Sequence, residues 1–77
     1  MAVIQIWLTF RTTKAFDAAQ AQLWHTGVQP YQADKQARRF QAIFEDSKGE
    51  QVLALNGLTE QSVRKLRREI RDARGNV

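Results

Sequence analysis

A strict alternation of apolar residues at the N-terminus constrains the fold of this chain most. Between Ala2 and Phe10 every second residue is apolar, including Ile4, Ile6 and Leu8. A period of two, in a segment rich in β-branched and aromatic residues, is typical of a β-strand with one fully buried face. We therefore predict that the chain begins with such a strand.

Two later segments show the spacing of amphipathic helices. The first helix is predicted over Lys14 to His25, with Thr12 or Thr13 as its N-terminal cap. The second begins after Thr59, which can cap it in the same way. The predicted buried residues are Ala15, Phe16, Ala19 and Leu23 in the first helix, and Val63, Leu66, Ile70 and Ala73 in the second.

The middle of the chain is predicted to form a β-hairpin. Asp46-Ser47-Lys48-Gly49 matches a type I turn with glycine at the left-handed position. Residues 39–45 and 51–55, on either side of this turn, are predicted to be its strands. Residues 28–35 are predicted to form a loop.

The elements then follow the order strand, helix, strand, strand, helix. A right-handed crossover makes strands one and two parallel, and the tight turn makes strands two and three neighbours. The prediction is an α+β fold: a small βαββα domain over residues 1–77, with two helices on one face of a three-stranded mixed sheet. As a topology, this resembles a ferredoxin-like fold that lacks its last strand.

This topology leaves strand one at an edge of the sheet. No proline or charged residue interrupts the strand, although proteins usually block an exposed apolar edge. We expect it to pair with its copy in a homodimer, or with a strand of another protein. Alternatively, residues 28–36 or the C-terminal tail cover the edge. The predicted interface consists of Val3, Ile4, Gln5, Ile6, Trp7 and Leu8.

The outward face of the sheet depends on the register of the hairpin. If Ile43, Leu53 and Leu55 face the helices, the outward residues are Phe40, Ala42, Phe44, Val52 and Ala54, together with Trp7. In the opposite register, Ile43, Leu53 and Leu55 face outward instead. Either register exposes more apolar surface than a solvated face requires.

The first register would create an aromatic platform with basic flanks. Trp7, Phe40 and Phe44 would lie near Arg11, Arg38 and Arg39. Such platforms bind unpaired bases, because every base has a face that can stack. The alternative is that these aromatic side chains pack beneath a dimer interface or a loop.

Positive charge is concentrated in the second helix. The formal net charge of the chain is +4, and the segment from Arg64 to Arg74 contains six basic and two acidic residues, which accounts for all of it. At about 100° per residue, five arginines form one stripe beside the buried residues: Arg64, Arg67, Arg68, Arg71 and Arg74. Because the guanidinium group matches phosphate and carboxylate, the stripe favours nucleic acid, with an acidic protein or a plain solvated face as alternatives.

The sequence contains no pattern that favours catalysis. It has one histidine, His25, and no cysteine, and neither Ser47 nor Ser62 is spaced to pair with that histidine. These counts also disfavour a structural zinc site, and we expect no cofactor, metal or small-molecule substrate. No run approaches the roughly 18 apolar residues of a membrane span, so a cytoplasmic location is expected by default.

The sequence therefore predicts a small, non-catalytic, nucleic-acid-binding protein. It would use the arginines of its second helix and, in addition, the aromatic face of its sheet. The alternative function is that of a regulator or inhibitor that binds an acidic protein target through the open strand edge or the basic helix. A structural role in a larger assembly is the third interpretation.

Overall fold

A computed structural model of the chain describes residues 2–75. Over this range the strands are β1 (Val3–Thr9), β2 (Pro30–Asp34) and β3 (Arg39–Glu45). The helices are α1 (Thr13–Trp24), α2 (Gly49–Leu53) and α3 (Glu60–Gly75), and a 3₁₀ turn at Asp46–Lys48 precedes α2.

The three strands form one sheet in the order β1-β3-β2. β3 pairs antiparallel with both neighbours, so β1 and β2 run parallel to each other on opposite edges. In the split βαβ arrangement of the ferredoxin-like topology, a helix connects two parallel strands and a third strand lies between them. The strands β1 and β2, with β3 between them, have this arrangement. The α+β class, the three-stranded sheet and the edge position of β1 are thus confirmed. The prediction of a mixed sheet was wrong, because every strand pair is antiparallel.

The hairpin lies earlier in the chain than predicted. β2 and β3 form it, with Tyr31 opposite Gln41, so the segment predicted as a loop supplies a strand. Its turn contains Arg38 in the left-handed region, at a φ of 54°. The Asp34 carboxylate accepts a hydrogen bond from the Ala37 N–H at 3.2 Å, which closes the turn.

The predicted third strand, residues 51–55, belongs mainly to α2. Gly49 begins this helix with a φ of −57°, which any residue adopts, and it does not form a left-handed turn. A Cβ atom at Gly49 would lie 2.7 Å from the Cδ1 atom of Ile70, so its lack of a side chain allows close packing against α3. Val52 and Leu55 are both buried, and their spacing of three fits one side of a helical turn.

The core lies on one face of the sheet, between the strands and the helices. Even-numbered residues of β1 and β3 supply the sheet side. Phe10, Phe16 and Phe40 meet there with ring centroids 5.3–6.3 Å apart. The other core residues include Ile4, Ile6, Leu8, Ala19, Leu23, Val28, Ala42, Phe44, Leu58, Leu66 and Ile70.

Both predicted helices form close to their expected bounds. The Thr12 hydroxyl caps α1 by accepting a hydrogen bond from the Ala15 N–H at 3.1 Å. The Thr59 hydroxyl caps α3 by accepting from the Ser62 N–H at 3.3 Å. Within residues 2–75, no helix is both long enough and apolar enough to cross a membrane.

Candidate nucleic-acid interface

α3 presents its buried and basic residues on different sides. Leu66 and Ile70 are buried against the sheet, whereas all five predicted arginines are exposed. Val63 and Ala73 are only partly buried and pack against the margin of the core. The helix therefore displays its arginines to solvent, as its 3.6-residue period predicts.

Two of the five arginines have carboxylate partners within the protein. The Arg64 guanidinium lies 2.7 Å from the Glu60 carboxylate, one helical turn earlier. Arg74 lies 3.2 Å from the Glu50 carboxylate and also donates to the Asp46 carbonyl oxygen at 2.9 Å. Arg74 therefore ties the end of α3 to α2 and to the turn before it.

The other three arginines, Arg67, Arg68 and Arg71, form no ion pair with any residue in the described range 2–75. Together with Lys65 and Gln61, they border a shallow depression along α3. We call Arg67, Arg68 and Arg71 the arginine surface. No carboxylate in residues 2–75 forms an ion pair with these three charges, so they are available to an anion.

The outward face of the sheet carries one aromatic–cation stack. The Arg39 guanidinium lies 4.0 Å from the centroid of the Trp7 ring. Trp7 is opposite Gln41, which in turn is opposite Tyr31, so these side chains form a row across the three strands. This face therefore exposes aromatic surface beside a cation, as the sequence predicted for Trp7 and Arg39.

The rest of the predicted aromatic platform is not on this face. Phe40 lies opposite Leu8 and Phe44 lies opposite Ile4, and both phenylalanines are buried in the core. Since side chains alternate along a strand, burying these two residues turns Ile43 outward, where it is 37% exposed. The register that would form the aromatic platform is therefore not the one observed, and Phe40 and Phe44 are core residues.

Both registers assume that residues 51–55 form a strand, and this assumption is wrong. Leu53 lies at the end of α2, partly buried against the core, and Leu55 is buried just after this helix. Arg38 also departs from the predicted platform, since its Nε–H donates to the Phe10 carbonyl oxygen at 3.2 Å in the hairpin turn. Of the predicted platform and its flanks, only Trp7 and Arg39 are stacked together.

A cleft joins the outward face of the sheet to the start of α3. β1 and β3 contribute Trp7, Thr9 and Arg39, and the N-terminal part of α3 with its cap contributes Thr59, Gln61, Ser62 and Lys65. Its volume is about 310 Å³, near the lower end of the roughly 300–1,000 Å³ typical of ligand sites. Gln61 and Lys65 border both the cleft and the depression along the arginine surface, so the two lie next to each other.

Sequence reasoning missed the helical side of this cleft. The sequence predicts Lys65 only as a basic residue of the second helix, and it predicts no role for Gln61. Their spacing of four places both on the same side of α3, and this signal was available. Which side of α3 faces the end of β1 follows only from the tertiary packing.

The end of β1 is bonded to the start of α3. The Thr9 N–H donates to the Ser62 hydroxyl at 2.9 Å, and the Thr59 N–H donates to the Thr9 carbonyl oxygen at 2.9 Å. Just beyond β1, the Arg11 N–H donates to the Gly57 carbonyl oxygen at 2.8 Å. This part of the strand edge is therefore covered within the monomer, by a segment that the sequence did not indicate.

The remainder of the β1 edge is open. Backbone groups point alternately to the two sides of an antiparallel strand, so Val3, Gln5 and Trp7 direct theirs to the same side as Thr9, away from β3. Within residues 2–75, no hydrogen bond joins these groups to another element. The predicted covering segment, residues 28–36, lies at the other edge of the sheet, and the C-terminal tail lies partly outside the described residues.

The side chains of the predicted β1 interface divide between the two faces of the sheet. Val3 is 65% exposed, Gln5 is exposed and Trp7 is half-buried on the outward face. The alternate residues Ile4, Ile6 and Leu8 are buried in the core. Their side chains therefore cannot contact a partner at this edge, although these residues belong to the strand that would pair.

Comparisons with models of known protein families, with curated proteins and with solved structures found no match. The function is therefore inferred from the charge, exposure and geometry of the residues described above.

Proposed function

We propose that this chain binds nucleic acid, without catalysing a reaction, through the arginine surface of α3. The observation that carries the proposal is the exposure of Arg67, Arg68 and Arg71 with no ion pair to a described residue. Like charges three or four residues apart each cost a helix about 0.2–0.5 kcal/mol. A phosphate backbone supplies the counter-charges that would relieve this repulsion.

The outward face of the sheet supports the same proposal. Trp7 and Arg39 are stacked in the cleft that lies next to the depression along α3. A surface that combines cations with an accessible aromatic ring can hold phosphates and stack bases. An acidic protein would be attracted by the same arginines, and it is the alternative partner of this surface.

The test is fluorescence anisotropy with labelled single-stranded DNA, duplex DNA and RNA, each at low and at physiological salt. We expect micromolar or tighter binding that weakens steeply with salt, because bound cations are released from the phosphates. In the double variant Arg67→Glu with Arg71→Glu, affinity should fall by at least tenfold for every ligand that binds.

A second double variant, Lys14→Glu with Lys35→Glu, is the matched control. It changes the net charge by the same amount but alters α1 and the hairpin turn, and it should bind much as the unmodified protein does. Absence of binding to all three ligands at low salt would rule out the proposal. A nuclease-resistant complex with an acidic protein would then identify the alternative partner.

The open edge of β1 favours a second proposal, a homodimer through strand pairing. An antiparallel pair centred on Gln5 would place Val3 opposite Trp7 of the second copy. In this register the free backbone groups of Val3, Gln5 and Trp7 all find partners. The covered end at Thr9 would lie beyond the second copy's strand, so the α3 segment would not block the pairing.

Light scattering after size-exclusion chromatography tests this dimer. We expect the dimer mass at high protein concentration and the monomer mass for Gln5→Pro, since proline cannot donate the N–H that the pairing uses. Proline is tolerated on an edge strand where the N–H faces solvent, so the monomer should remain folded. A monomer mass for the unmodified protein at high concentration would refute self-pairing.

A further inference from the structure

We propose that the cleft between the sheet and α3 binds one unpaired nucleotide, so that the preferred ligand is single-stranded nucleic acid. This inference rests on the proposed function, which requires only phosphate contacts, and it adds a site for a base. The residues that define the site are Trp7 and Arg39 on the sheet, and Gln61 and Lys65 on α3.

The composition of the cleft matches the two parts of a nucleotide. Arg39 covers one face of the Trp7 ring. A base would therefore stack on the guanidinium group or replace it on the ring, since both groups stack on bases. Lys65 adds a second cation, and the residues that line the cleft include no carboxylate. An aromatic wall with two positive charges selects a ligand that is both flat and anionic.

The two walls of the cleft are held in place by hydrogen bonds. The Ser62 hydroxyl accepts from the Thr9 N–H at 2.9 Å and from the Thr59 hydroxyl at 3.0 Å, which joins β1 to the start of α3. These hydroxyls are therefore occupied within the protein. The polar ends of Gln61 and Lys65 form no side-chain hydrogen bond or ion pair within residues 2–75, so they are available to a ligand.

The position of the cleft explains why a paired base would not enter it. The cleft lies next to the depression beside Arg67, Arg68 and Arg71, with Gln61 and Lys65 on the border of both, so a strand whose phosphates follow the arginine surface would pass close to the cleft. In a duplex, each base is stacked and paired, and its faces are not accessible to a side chain. A single strand can turn one base out toward Trp7 without that cost.

Tryptophan fluorescence gives a direct test, once the second tryptophan is removed. Trp24 is 66% exposed at the end of α1 and does not line the cleft, so Trp24→Phe leaves Trp7 as the only tryptophan. We would titrate this variant with a twelve-nucleotide thymidine strand and with a duplex of equal length. We expect the single strand to quench Trp7 and to bind more tightly, whereas the duplex leaves the emission largely unchanged.

Two further variants separate the cleft from the arginine surface. Trp7→Leu should weaken single-strand binding by about 5- to 150-fold, the range of one stacked base, and leave duplex binding unchanged. Lys65→Gln should weaken single-strand binding several-fold. Lys35→Gln is the matched control, because it also removes one positive charge. Lys35 pairs with Asp17 on α1, so this variant should have little effect on binding. Circular dichroism of each variant would confirm that it is folded.

The outcomes distinguish the cleft from the proposed function. Suppose that both ligands bind equally, that Trp7 is not quenched, and that only the double variant of Arg67 and Arg71 loses affinity. The cleft is then not a nucleotide site, and the arginine surface alone binds the nucleic acid. If Lys65→Gln and Lys35→Gln behave alike, the cleft assignment is also wrong. If neither ligand binds at low salt, both proposals fail together.

Discussion

The two faces of the sheet differ sharply, although the same strands build both. The inner face of β1 and β3 consists of fully buried apolar residues, such as Leu8 and Phe40, each with no measurable exposure. The outer face carries Val3 and Ile43, which are well exposed, and the stacked pair of Trp7 and Arg39. Stability is therefore concentrated on one face, and the other face is free to contact a partner.

This difference shows that apolar composition alone does not locate a core. Each face of β3 carries at least one large apolar side chain, but only the even-numbered residues belong to the core. An apolar residue stabilises the fold according to the area that it removes from water. Ile43 and Phe44 are adjacent in sequence, yet they contribute unequally to stability, because Ile43 points outward and Phe44 points into the core.

The largest expected effect is on the inner face. Phe40→Ala removes a fully buried ring that contacts Phe10 and Phe16, and it should lower the free energy of unfolding by about 3–5 kcal/mol. Because a small domain has only about 5–15 kcal/mol in total, this variant should be partly or wholly unfolded. Urea denaturation followed by circular dichroism measures the change.

Ile43→Ala, on the outer face of the same strand, is the matched comparison. Ile43 is 37% exposed, so we expect a loss clearly below that of Phe40→Ala, at about 1 kcal/mol. Equal losses for the two variants would mean that the two faces of β3 are assigned incorrectly.

An intermediate effect is expected at the junction of α3 with the edge of β1. Ser62→Ala removes the hydroxyl that accepts the Thr9 N–H at 2.9 Å, and it leaves a partly buried donor without a partner. Such a loss costs about 1–3 kcal/mol. The same urea measurement tests it.

Ser47→Ala is the control for this substitution. Ser47 lies in the exposed 3₁₀ turn, and its hydroxyl makes no hydrogen bond within residues 2–75, so stability should change by no more than about 0.5 kcal/mol. If Ser62→Ala were equally harmless, the bond between β1 and α3 would not stabilise the fold, and the cleft would lack a fixed wall.

Elements with a strong local pattern were predictable from the sequence. The alternation in β1 and the capped 3.6-residue periods of α1 and α3 required no tertiary information, and the helix bounds agree within one residue where they were predicted. The five arginines were placed on the exposed side of α3 for the same reason. Long periodic segments with caps give the least ambiguous signals.

The hairpin was not predictable from the same rules. Asp46-Ser47-Lys48-Gly49 contains the residues of a tight turn, but Gly49 has a helical φ and packs against Ile70 on α3, which lies far along the chain. Conversely, β2 lacks alternation, and all its residues except Pro30 are exposed. Such an edge strand is held mainly by backbone pairing with β3, which leaves no apolar pattern in the sequence.

The candidate site was predictable only in part, for the same reason. Trp7 and Arg39 could be paired because each lies on a strand, but their true neighbours, Gln61 and Lys65, belong to a helix that begins more than twenty residues after Arg39. The start of α3 is held beside Thr9 by the Ser62 hydroxyl and by the Thr59 N–H, long-range contacts that no local pattern indicates.

The smallest expected effect concerns the outer face alone. Arg39→Gln removes the guanidinium group that lies 4.0 Å above the Trp7 ring, and a partly exposed stack of this kind contributes about 0.5–1 kcal/mol to stability. Glu45→Gln, on the same face of β3 but without an ion pair or side-chain hydrogen bond in the described chain, should change stability by less than about 0.5 kcal/mol. Chemical denaturation of both variants, in parallel with Phe40→Ala, measures the contrast between the faces directly. A loss at Arg39 comparable to that at Phe40 would show that the outer face supports the fold and is not free for binding. A small loss, together with weaker binding of single-stranded nucleic acid, would assign this face to recognition.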